Sequence, residues 1–291
     1  MYYIDPTFTT KKINKALKEQ REVAFRRGTY KLKECLILHS DTMISCESGV
    51  IFERHHKERM LQTFADEHTS RYDGVHNVTW TGGIFTADTN VTPANVITLF
   101  HAKHIILSSV FISGCRGYHS VEINACRDVT IVGSHIIGQS SKPDETFREA
   151  IQIDFASYDS LKIKGAKNTA WCYDNTHCCD IIVKNTTIET CPNGFGTHSV
   201  AYEEDYHRNI TLENVRFNDI EHNDVQLFGV DGFTMSNIQS NVTSVANNRI
   251  VTRQPVVHIG TKKKGHLLDG GKVTIEPRRN KNIRIENTLI D

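Results

Sequence analysis

A strand-like pattern of about nine residues recurs along this chain, and its spacing limits the possible folds more than any other feature. Each copy begins with a turn residue, usually Asn or Asp, and continues with alternating β-branched residues. Neighbouring copies lie about 25 residues apart, or about twice that distance at two gaps, and repeats of this length are typical of solenoids. The copies begin at Asn77, His104, Asp128, Asp180, Asn209, Gly232 and Asn282.

A repeat of this length is too short to bury a core alone, so successive copies must stack around one continuous apolar column. Short strands without helix between them favour a parallel β-helix. A leucine-rich repeat would need a fixed Leu-x-x-Leu-x-Leu framework, which the chain lacks. An antiparallel sandwich would not explain the recurring unit. The sequence therefore predicts an all-β fold, a parallel β-helix.

We predict a single domain over residues 1–291. Residues 1–60 form its N-terminal cap and first coils, and residues 73–291 form the regular coils. The cap begins with one short amphipathic helix over residues 9–20, because Ile13 and Leu17 lie one turn apart and Thr9 or Thr10 can cap it.

A second, shorter strand precedes most copies by about seven residues, and it carries the functional signal. In Ala150–Asp154, for example, Ile151 and Ile153 share one face, so the alternate residues face outward. Parallel neighbours stack ~4.8 Å apart, which predicts a strip of acids, amides and imidazoles along the outside of the coils. A merely solvated face would more often carry Lys, Thr and Ser. The outward residues are Glu122, Asn124, Gln152, Asp154, His198, Asp224, Gln226 and His258.

One coil carries an insertion at about residues 156–179, which leaves the end of this strip. Long loops of compact domains are often functional. Trp171 and Tyr173 can stack on a sugar ring, where an aromatic face meets CH groups, or they can pack the loop onto the coil. Asp174 and the more distant His207 complete the polar residues that we place beside the strip.

The composition excludes several classes of protein. The chain has 34 basic and 34 acidic residues, so we expect no nucleic-acid partner and no membrane surface. The N-terminus lacks a signal-peptide pattern, which predicts a cytoplasmic or virion-associated protein with its eight cysteines as free thiols. A zinc site around His177, Cys178 and Cys179 is an alternative to buried, unreactive cysteines, but the usual ligand spacing is absent.

Two segments resemble a known family. Val23-Ala-Phe-Arg-Arg-Gly-Thr-Tyr-Lys-Leu32 resembles the N-terminal cap of the pectate-lyase-like superfamily, and Gly74-Val-His-Asn-Val-Thr-Trp-Thr-Gly-Gly-Ile-Phe85 resembles the coil that follows in polygalacturonases. The resemblance implies a right-handed parallel β-helix that binds carbohydrate along the sheet carrying the polar strip. Related sequences occur among bacterial and phage proteins.

The polygalacturonase motifs are only partly kept. Aligned by coil, Asn-Thr-Asp falls at Gly117–His119, Asp-Asp at Arg148-Glu149, Gly-His-Gly near Asn193–His198, and Arg-Ile-Lys at Val225–Leu227. An acid and a His remain, whereas the Arg/Lys pair that holds a uronate carboxylate is missing. The resemblance therefore favours a β-helix enzyme that acts on another, less acidic glycan.

The first functional hypothesis is a glycoside hydrolase with a pair of carboxyl groups as acid and as base or nucleophile. The catalytic candidates are Glu149, Asp154, Asp174 and His198, with Glu122 in reserve. The hydrolase needs no cofactor, and its partner is a glycan. The substrate-binding candidates are His119, Glu122, Gln152, Trp171, Tyr173, His207, Asp224, Gln226 and His258.

Two other hypotheses remain open. A polysaccharide lyase or uronate epimerase would use His198 or Arg148 as base, with Ca²⁺ or an Arg neutralising the substrate carboxylate. A phage-tail-type module would bind glycan without catalysis. The chain is expected to be a monomer or, by analogy with such spikes, a homotrimer.

Overall fold

The computed structural model describes residues 1–66, 68–87, 92–140, 148–156, 174–198 and 205–241. Beyond them it describes short segments, at 244–246, 249–251, 257–260, 267–268, 271–272, 280–287 and 289–290. The first coils comprise β1 (Tyr2–Ile4), α1 (Thr10–Glu19), β2 (Glu22–Phe25), β3 (Gly28–Leu32), β4 (Leu36–Leu38), β5 (Thr42–Cys46), β6 (Val50–Arg54) and β7 (Leu61–Thr63).

The later coils follow the same order of short strands. The middle coils comprise β8 (His76–Thr81), β9 (Ile84–Thr86), β10 (Ile97–Phe100), β11 (Lys103–Ser108), β12 (Phe111–Ser113), β13 (Val121–Asn124), β14 (Arg127–Val132), β15 (His135–Ile137) and β16 (Glu149–Asp154). Next come β17 (Cys179–Lys184), β18 (Thr187–Thr197), β19 (His207–Glu213), β20 (Arg216–Phe228), β21 (Val230–Ser236) and β22 (Gln239–Asn241). The last strands are β23 (Ser244–Ala246), β24 (Arg249–Val251), β25 (Val257–Gly260), β26 (Leu267–Leu268), β27 (Gly271–Lys272), β28 (Lys281–Glu286) and β29 (Leu289–Ile290).

Parallel pairing between successive coils builds two long sheets. The first has ten strands in the order β1-β2-β5-β8-β11-β14-β17-β19-β21-β28, and it contains all seven copies of the sequence repeat. The second has fifteen strands and includes two stacks, β3-β6-β9-β12-β15 and β4-β7-β10-β13-β16, which the long strand β18 joins. Each coil thus adds a strand to each face, and the predicted parallel β-helix is confirmed.

The preference for Asn or Asp at the first residue of the repeat is explained by the backbone conformation of that residue. Asn77, His104, Asp128, Asp180 and Asn209 all have φ between 52° and 57°. This left-handed region is costly for most side chains and is tolerated best by Gly, Asn and Asp. This first residue is left out of the register between neighbouring strands. Its side chain can instead form a hydrogen bond with the corresponding residue of the preceding coil. The Asn209 amide, for instance, donates to Asp180 Oδ1 at 3.0 Å.

The core is one apolar column along the inside of the coils. Near the N-terminus its aromatic members Phe25, Tyr30, Phe52, Trp80 and Phe85 are buried, and neighbouring ring centroids lie 4.8 to 5.7 Å apart. Val, Ile and Leu side chains continue the column through the later coils. Because each layer is buried only by its neighbours, no coil is stable alone.

The predicted N-terminal helix is confirmed as α1. The Thr9 side chain accepts a hydrogen bond from the Lys12 amide, and Ile13 and Leu17 are buried against the first coil. No helix in the described ranges is long and apolar enough to cross a bilayer. The seven cysteines that fall within those ranges are free thiols, as predicted.

Candidate functional site

The predicted polar strip forms one row across six coils. Strand register aligns Thr98 of β10 with Glu122 of β13, and Glu122 with Gln152 of β16. The row continues through Gly196, Gln226 and His258, the last described by its backbone. A second row pairs Asn124 with Asp154. The register expected from the sequence therefore brings these residues together on one face.

Most side chains of the strip are buried, which side-chain alternation did not predict. The exposed fractions of Glu122, Gln152 and Asp154 are 5%, 3% and 1%, and Asp224 is fully buried. Alternation along a strand tells which side chains point away from the core, but not what lies above them. His198, with 28% of its side chain exposed, and Gln226 are only partly buried. A ligand would therefore approach the strip near His198 and Gln226.

Glu149 belongs to the strip although strand alternation predicts otherwise. It shares the parity of Ile151 and Ile153, which point into the core. A Cβ on Gly196, which lies in the outward row, would nevertheless come within 2.6 Å of Glu149 Cγ. Ala150, predicted to face outward, instead joins the core. The alternation breaks at the start of β16, and the missing side chain at Gly196 leaves room for Glu149.

His119 holds Glu149 from the preceding coil. Its Nδ1 lies 2.7 Å from the Glu149 carbonyl oxygen and 3.8 Å from Glu149 Oε2, so this nitrogen carries the proton and donates. Burial lowers the pKa of His119 to about 3, so the imidazole is neutral. Burial also raises the pKa of Glu149 to about 7, with Asp154 adding to this effect and His198 and Arg148 opposing it. Glu149 is therefore partly protonated at neutral pH.

Asp154 and His198 form a second pair of an acid and an imidazole on the strip. Asp154 Oδ1 accepts from the Phe155 amide at 2.8 Å, and Oδ2 lies 3.5 Å from His198 Nδ1. The His198 amide donates to the Ile153 carbonyl at 3.0 Å, which fixes the residue just after β18. The carboxylate and imidazole thus sit where the strip opens to solvent.

Glu122 is a further buried acid of the strip. It accepts hydrogen bonds from Asn95 Nδ2 and, at 3.4 Å, from Thr98 Oγ1. Burial raises the pKa of Glu122 to about 7, with Asp154 adding to this effect and Arg59 opposing it. Asn95 Oδ1 also accepts a hydrogen bond from the backbone amide of His119 at 2.9 Å, so Asn95 links Glu122 to the residues around Glu149.

Sequence reasoning missed Asn95, Thr98 and Gly196. Thr98 and Gly196 were detectable, because they occupy the same register position as Glu122 and Gln152. Asn95 lies before β10 in a connection whose path only tertiary structure defines.

Some predicted residues are not brought to the strip. Both carboxylate oxygens of Asp174 accept hydrogen bonds from backbone amides. Oδ2 accepts from the Arg71 amide at 2.6 Å, and Oδ1 accepts from the Thr176 amide at 3.0 Å. His207 is fully buried, accepts from the Cys178 amide at 3.1 Å and packs on the Phe155 ring. Both have structural contacts in the turns between sheets.

The other candidates are placed as follows. Gln226 accepts from Asn223 Nδ2 at 3.3 Å within the row. Trp171 and Tyr173 lie outside the described residues. Within the described part, no group of three His, Cys, Asp or Glu residues is arranged to hold a metal ion.

No family model and no curated protein sequence matches this chain. Solved structures do resemble it. A surface adhesin of Streptococcus pneumoniae has a TM-score of 0.72 at 16% identity, over 99% of this chain and 70% of that one. A family 28 exopolygalacturonase of Yersinia enterocolitica has a TM-score of 0.60 at 10% identity, over 100% and 66%.

A third similar structure is ORF18 of Geobacillus virus E2, with a TM-score of 0.50 at 11% identity, over 81% of this chain and 55% of that one. These likenesses show the fold. The chain therefore has a parallel β-helix fold, as the sequence predicts.

Proposed function

We propose that this protein is a carbohydrate-active enzyme that hydrolyses a glycosidic bond on the polar strip. The observation that carries the proposal is Glu149, a buried carboxyl group whose pKa is raised to about 7 and which has a second carboxyl group, Asp154, close enough to influence it. A protonatable acid beside a second carboxylate is the minimum requirement of most glycoside hydrolases.

In this mechanism, Glu149 is the general acid. It donates its proton to the glycosidic oxygen as the bond to the anomeric carbon breaks. Asp154 either attacks the anomeric carbon or removes a proton from an attacking water. His119 positions Glu149 through the bond to its carbonyl, and His198, 3.5 Å from Asp154, orients that carboxylate.

The remaining strip residues are suited to sugar hydroxyls. Gln152 and Gln226 present amides, which both donate and accept hydrogen bonds. The likeness to the exopolygalacturonase supports a glycan substrate, and this chain spans about two thirds of that protein. Since the Arg/Lys pair for a uronate is missing, we propose a neutral or weakly acidic glycan.

The test is a panel of glycans incubated with the full chain, in which new reducing ends and ultraviolet absorbance are read together. Hydrolysis produces reducing ends without the absorbance of an unsaturated sugar. Glu149→Gln and Asp154→Asn should each lower kcat by roughly 10²–10⁴-fold while folding is kept. Glu189→Gln is the matched control, because Glu189 pairs with His135 on another face of the coil. Full activity in both site variants would contradict the assignment.

The pH dependence provides an independent test. Glu149 must be protonated to act as acid, so kcat/KM should fall as pH rises through about 7. A rate that keeps rising above neutral pH would exclude Glu149 as the acid.

A non-catalytic glycan-binding module is the second candidate. It is supported by the burial of the strip acids and by the likeness to the streptococcal adhesin. Glycan binding by calorimetry with no reducing ends, and no loss of binding in Glu149→Gln, would favour it. An absorbing product would instead indicate a lyase.

A further inference from the structure

A small cavity lies away from the polar strip, at the corner where the ten-stranded sheet passes into the fifteen-stranded one. Its walls come from three successive coils, at the turns and first residues of β18, β20 and β22. The strip residues Gly196 and Gln226 lie near the opposite ends of β18 and β20. The cavity is therefore a separate feature of the surface.

The size of this corner cavity limits what it can hold. Its volume is about 180 Å³. Pockets for drug-sized ligands are typically about 300–1,000 Å³, so this one suits a single small group or a single sugar residue. The buried residues Thr186 and Val215 line it on the core side.

The cavity exists because one outward row contains a small residue between larger ones. Strand register aligns His135, Thr187, Arg216 and Gln239 on four successive coils. The Thr187 side chain is much shorter than that of His135 on one side or Arg216 on the other. It therefore leaves a notch in the row, beside the Arg216 guanidinium.

Arg216 is held in place at the edge of this notch. Its Nε and Nη2 donate to Gln239 Oε1 at 3.0 and 2.9 Å. A guanidinium carries five N–H donors in one plane, so the bond to Gln239 leaves others for a ligand. An arginine that is already oriented loses less rotamer entropy when a ligand binds.

The neighbouring polar groups add donors without adding negative charge. Asn185 uses its Oδ1 to accept from the Asn214 amide at 2.7 Å, which leaves the Asn185 amide nitrogen as a donor toward a ligand. Thr187 contributes a hydroxyl, and none of the residues that line the cavity is acidic. One positive charge among neutral donors is the environment that stabilises an oxyanion.

We propose that this cavity binds one oxyanion through Arg216, Asn185 and Thr187, either as a charged group on a sugar residue or as a free inorganic anion. Both ligands present negatively charged oxygens to the guanidinium fork. Charge-assisted hydrogen bonds of this kind are about twice as strong as those to a neutral hydroxyl. The proposal is independent of hydrolysis at Glu149, because a protein that only binds glycan could use the same cavity.

Nitrogen-15 NMR titration of the folded full chain tests the proposal, since it locates the ligand on the molecule. Separate titrations use inorganic sulfate, inorganic phosphate, glucuronic acid and, as the neutral match, glucose. The signals of Asn185, Thr187 and Arg216 should shift to saturation with an oxyanion. Tighter binding of glucuronic acid than of the inorganic anions identifies a sugar-borne group as the ligand, and the reverse order identifies a free anion.

Two variants test the charge and the space separately. Arg216→Gln should weaken oxyanion binding by about tenfold or more, because it removes the charged donors. Thr187→Leu keeps the charge but fills the notch, and should weaken binding to a similar degree. Arg208→Gln is the matched control, since Arg208 is an exposed arginine at the far end of β19, and it should keep the wild-type affinity.

Three results would overturn the proposal. They are the absence of a saturable shift with every oxyanion, binding of glucose as tight as that of glucuronic acid, and wild-type affinity in Arg216→Gln. An equal loss in Arg208→Gln would also overturn it, because the attraction would then come from net charge alone. Thermal unfolding identifies a variant that does not fold, and the other variant then decides.

Discussion

Gly196 determines where the proposed acid lies. Every other described outward position of its row carries a side chain, and only a glycine leaves space for Glu149 to cross from the preceding coil. Its neighbour Gly194 has a different role, because a Cβ there would come within 2.5 Å of the Phe217 ring in the core. The two glycines of β18 thus serve the site and the core separately.

We expect Gly196→Ala to displace Glu149. The new Cβ would lie 2.6 Å from Glu149 Cγ and 3.0 Å from the Gln226 carbonyl oxygen, so the carboxyl group must move. A shift of about 1 Å lowers catalysis by roughly 10²-fold, and overpacking costs about 1–3 kcal/mol of stability. Reducing-end release and urea unfolding measure both effects.

Gly138→Ala is the control, because its Cβ would find nothing closer than 3.8 Å and lies away from the strip, although φ is +72°. It should lose stability but not activity. Wild-type activity in Gly196→Ala would show that the position of Glu149 does not matter.

Glu122 predicts a pH-dependent stability. Its pKa is about 7 in the folded chain against 4.5 ordinarily, so the folded state holds a proton that the unfolded state releases. The stabilisation from this proton is fully present below about pH 4.5 and is lost as pH rises through about 7. The loss in the free energy of unfolding is on the order of 3 kcal/mol.

Glu122→Gln should remove that dependence. The difference in the free energy of urea unfolding between pH 5 and pH 8 should shrink relative to wild type, whereas the exposed Glu213→Gln should leave it unchanged. An identical pH dependence in wild type and Glu122→Gln would mean that Glu122 is ionised in the fold.

At the scale of elements, the seven repeat strands of the ten-stranded sheet are bounded by left-handed residues at both ends. Asn185, Asn214 and Asn237 follow three successive strands, with φ between 51° and 53°. The Asn214 amide donates to Asn185 Oδ1 at 2.7 Å, so the turns of neighbouring coils are tied by side chains as well as backbone. Asparagine at the end of these strands thus serves two roles, since it tolerates the left-handed backbone and its side-chain amide bonds the neighbouring coil.

The two roles can be separated at Asn214. Asn214→Ala loses the hydrogen bond and places a Cβ in the left-handed region, so we expect a loss of about 2 kcal/mol. Asn214→Gly loses the hydrogen bond but tolerates the backbone, so the loss should be about 1 kcal/mol. The midpoint of urea unfolding distinguishes them, and an equal loss in the two variants would rule out backbone strain as a factor.

At the scale of the whole molecule, a β-helix must protect the open edge at its end. Most coils satisfy their backbone groups with the coils above and below, but the first coil has a neighbour on one side only. Helix α1 covers this end. Asn14 donates to the Cys35 carbonyl at 2.8 Å and accepts from the Ile37 amide at 3.0 Å, which mimics a neighbouring strand.

Asn14→Ala should therefore open the edge at β4. Two backbone groups lose their partners, which costs about 1–3 kcal/mol. Hydrogen exchange should become faster at the Ile37 amide in particular. As a control, Lys15→Ala, on the exposed side of α1, should change neither the stability nor the exchange rate at Ile37. Unchanged exchange at Ile37 would show that the helix does not protect this edge.

Much of the fold was predictable from sequence because a β-helix repeats one local rule. The turn residue of each copy, such as Asp180 or Asn209, sets the start of a strand, and side-chain alternation then sets which face is buried. The register of Glu122 with Gln152 followed from aligning the alternating patterns of the second strands. These properties depend on neighbours in the chain and on regular stacking, so the sequence carried them.

The chemistry of the sites was decided by tertiary structure. Alternation cannot foresee that Glu149 leaves its face, or that the strip is buried, because both depend on what packs above the coil. Cys179 Sγ lies 3.7 Å from the hydroxyl of Tyr72, 107 residues earlier, and Asp205 contacts His177 from 28 residues later. No local pattern links groups so far apart. The sequence determined the stacked coils and the outward polar residues, and only the closed solenoid decided which of these residues meet, because its coils bring distant segments to within hydrogen-bonding distance.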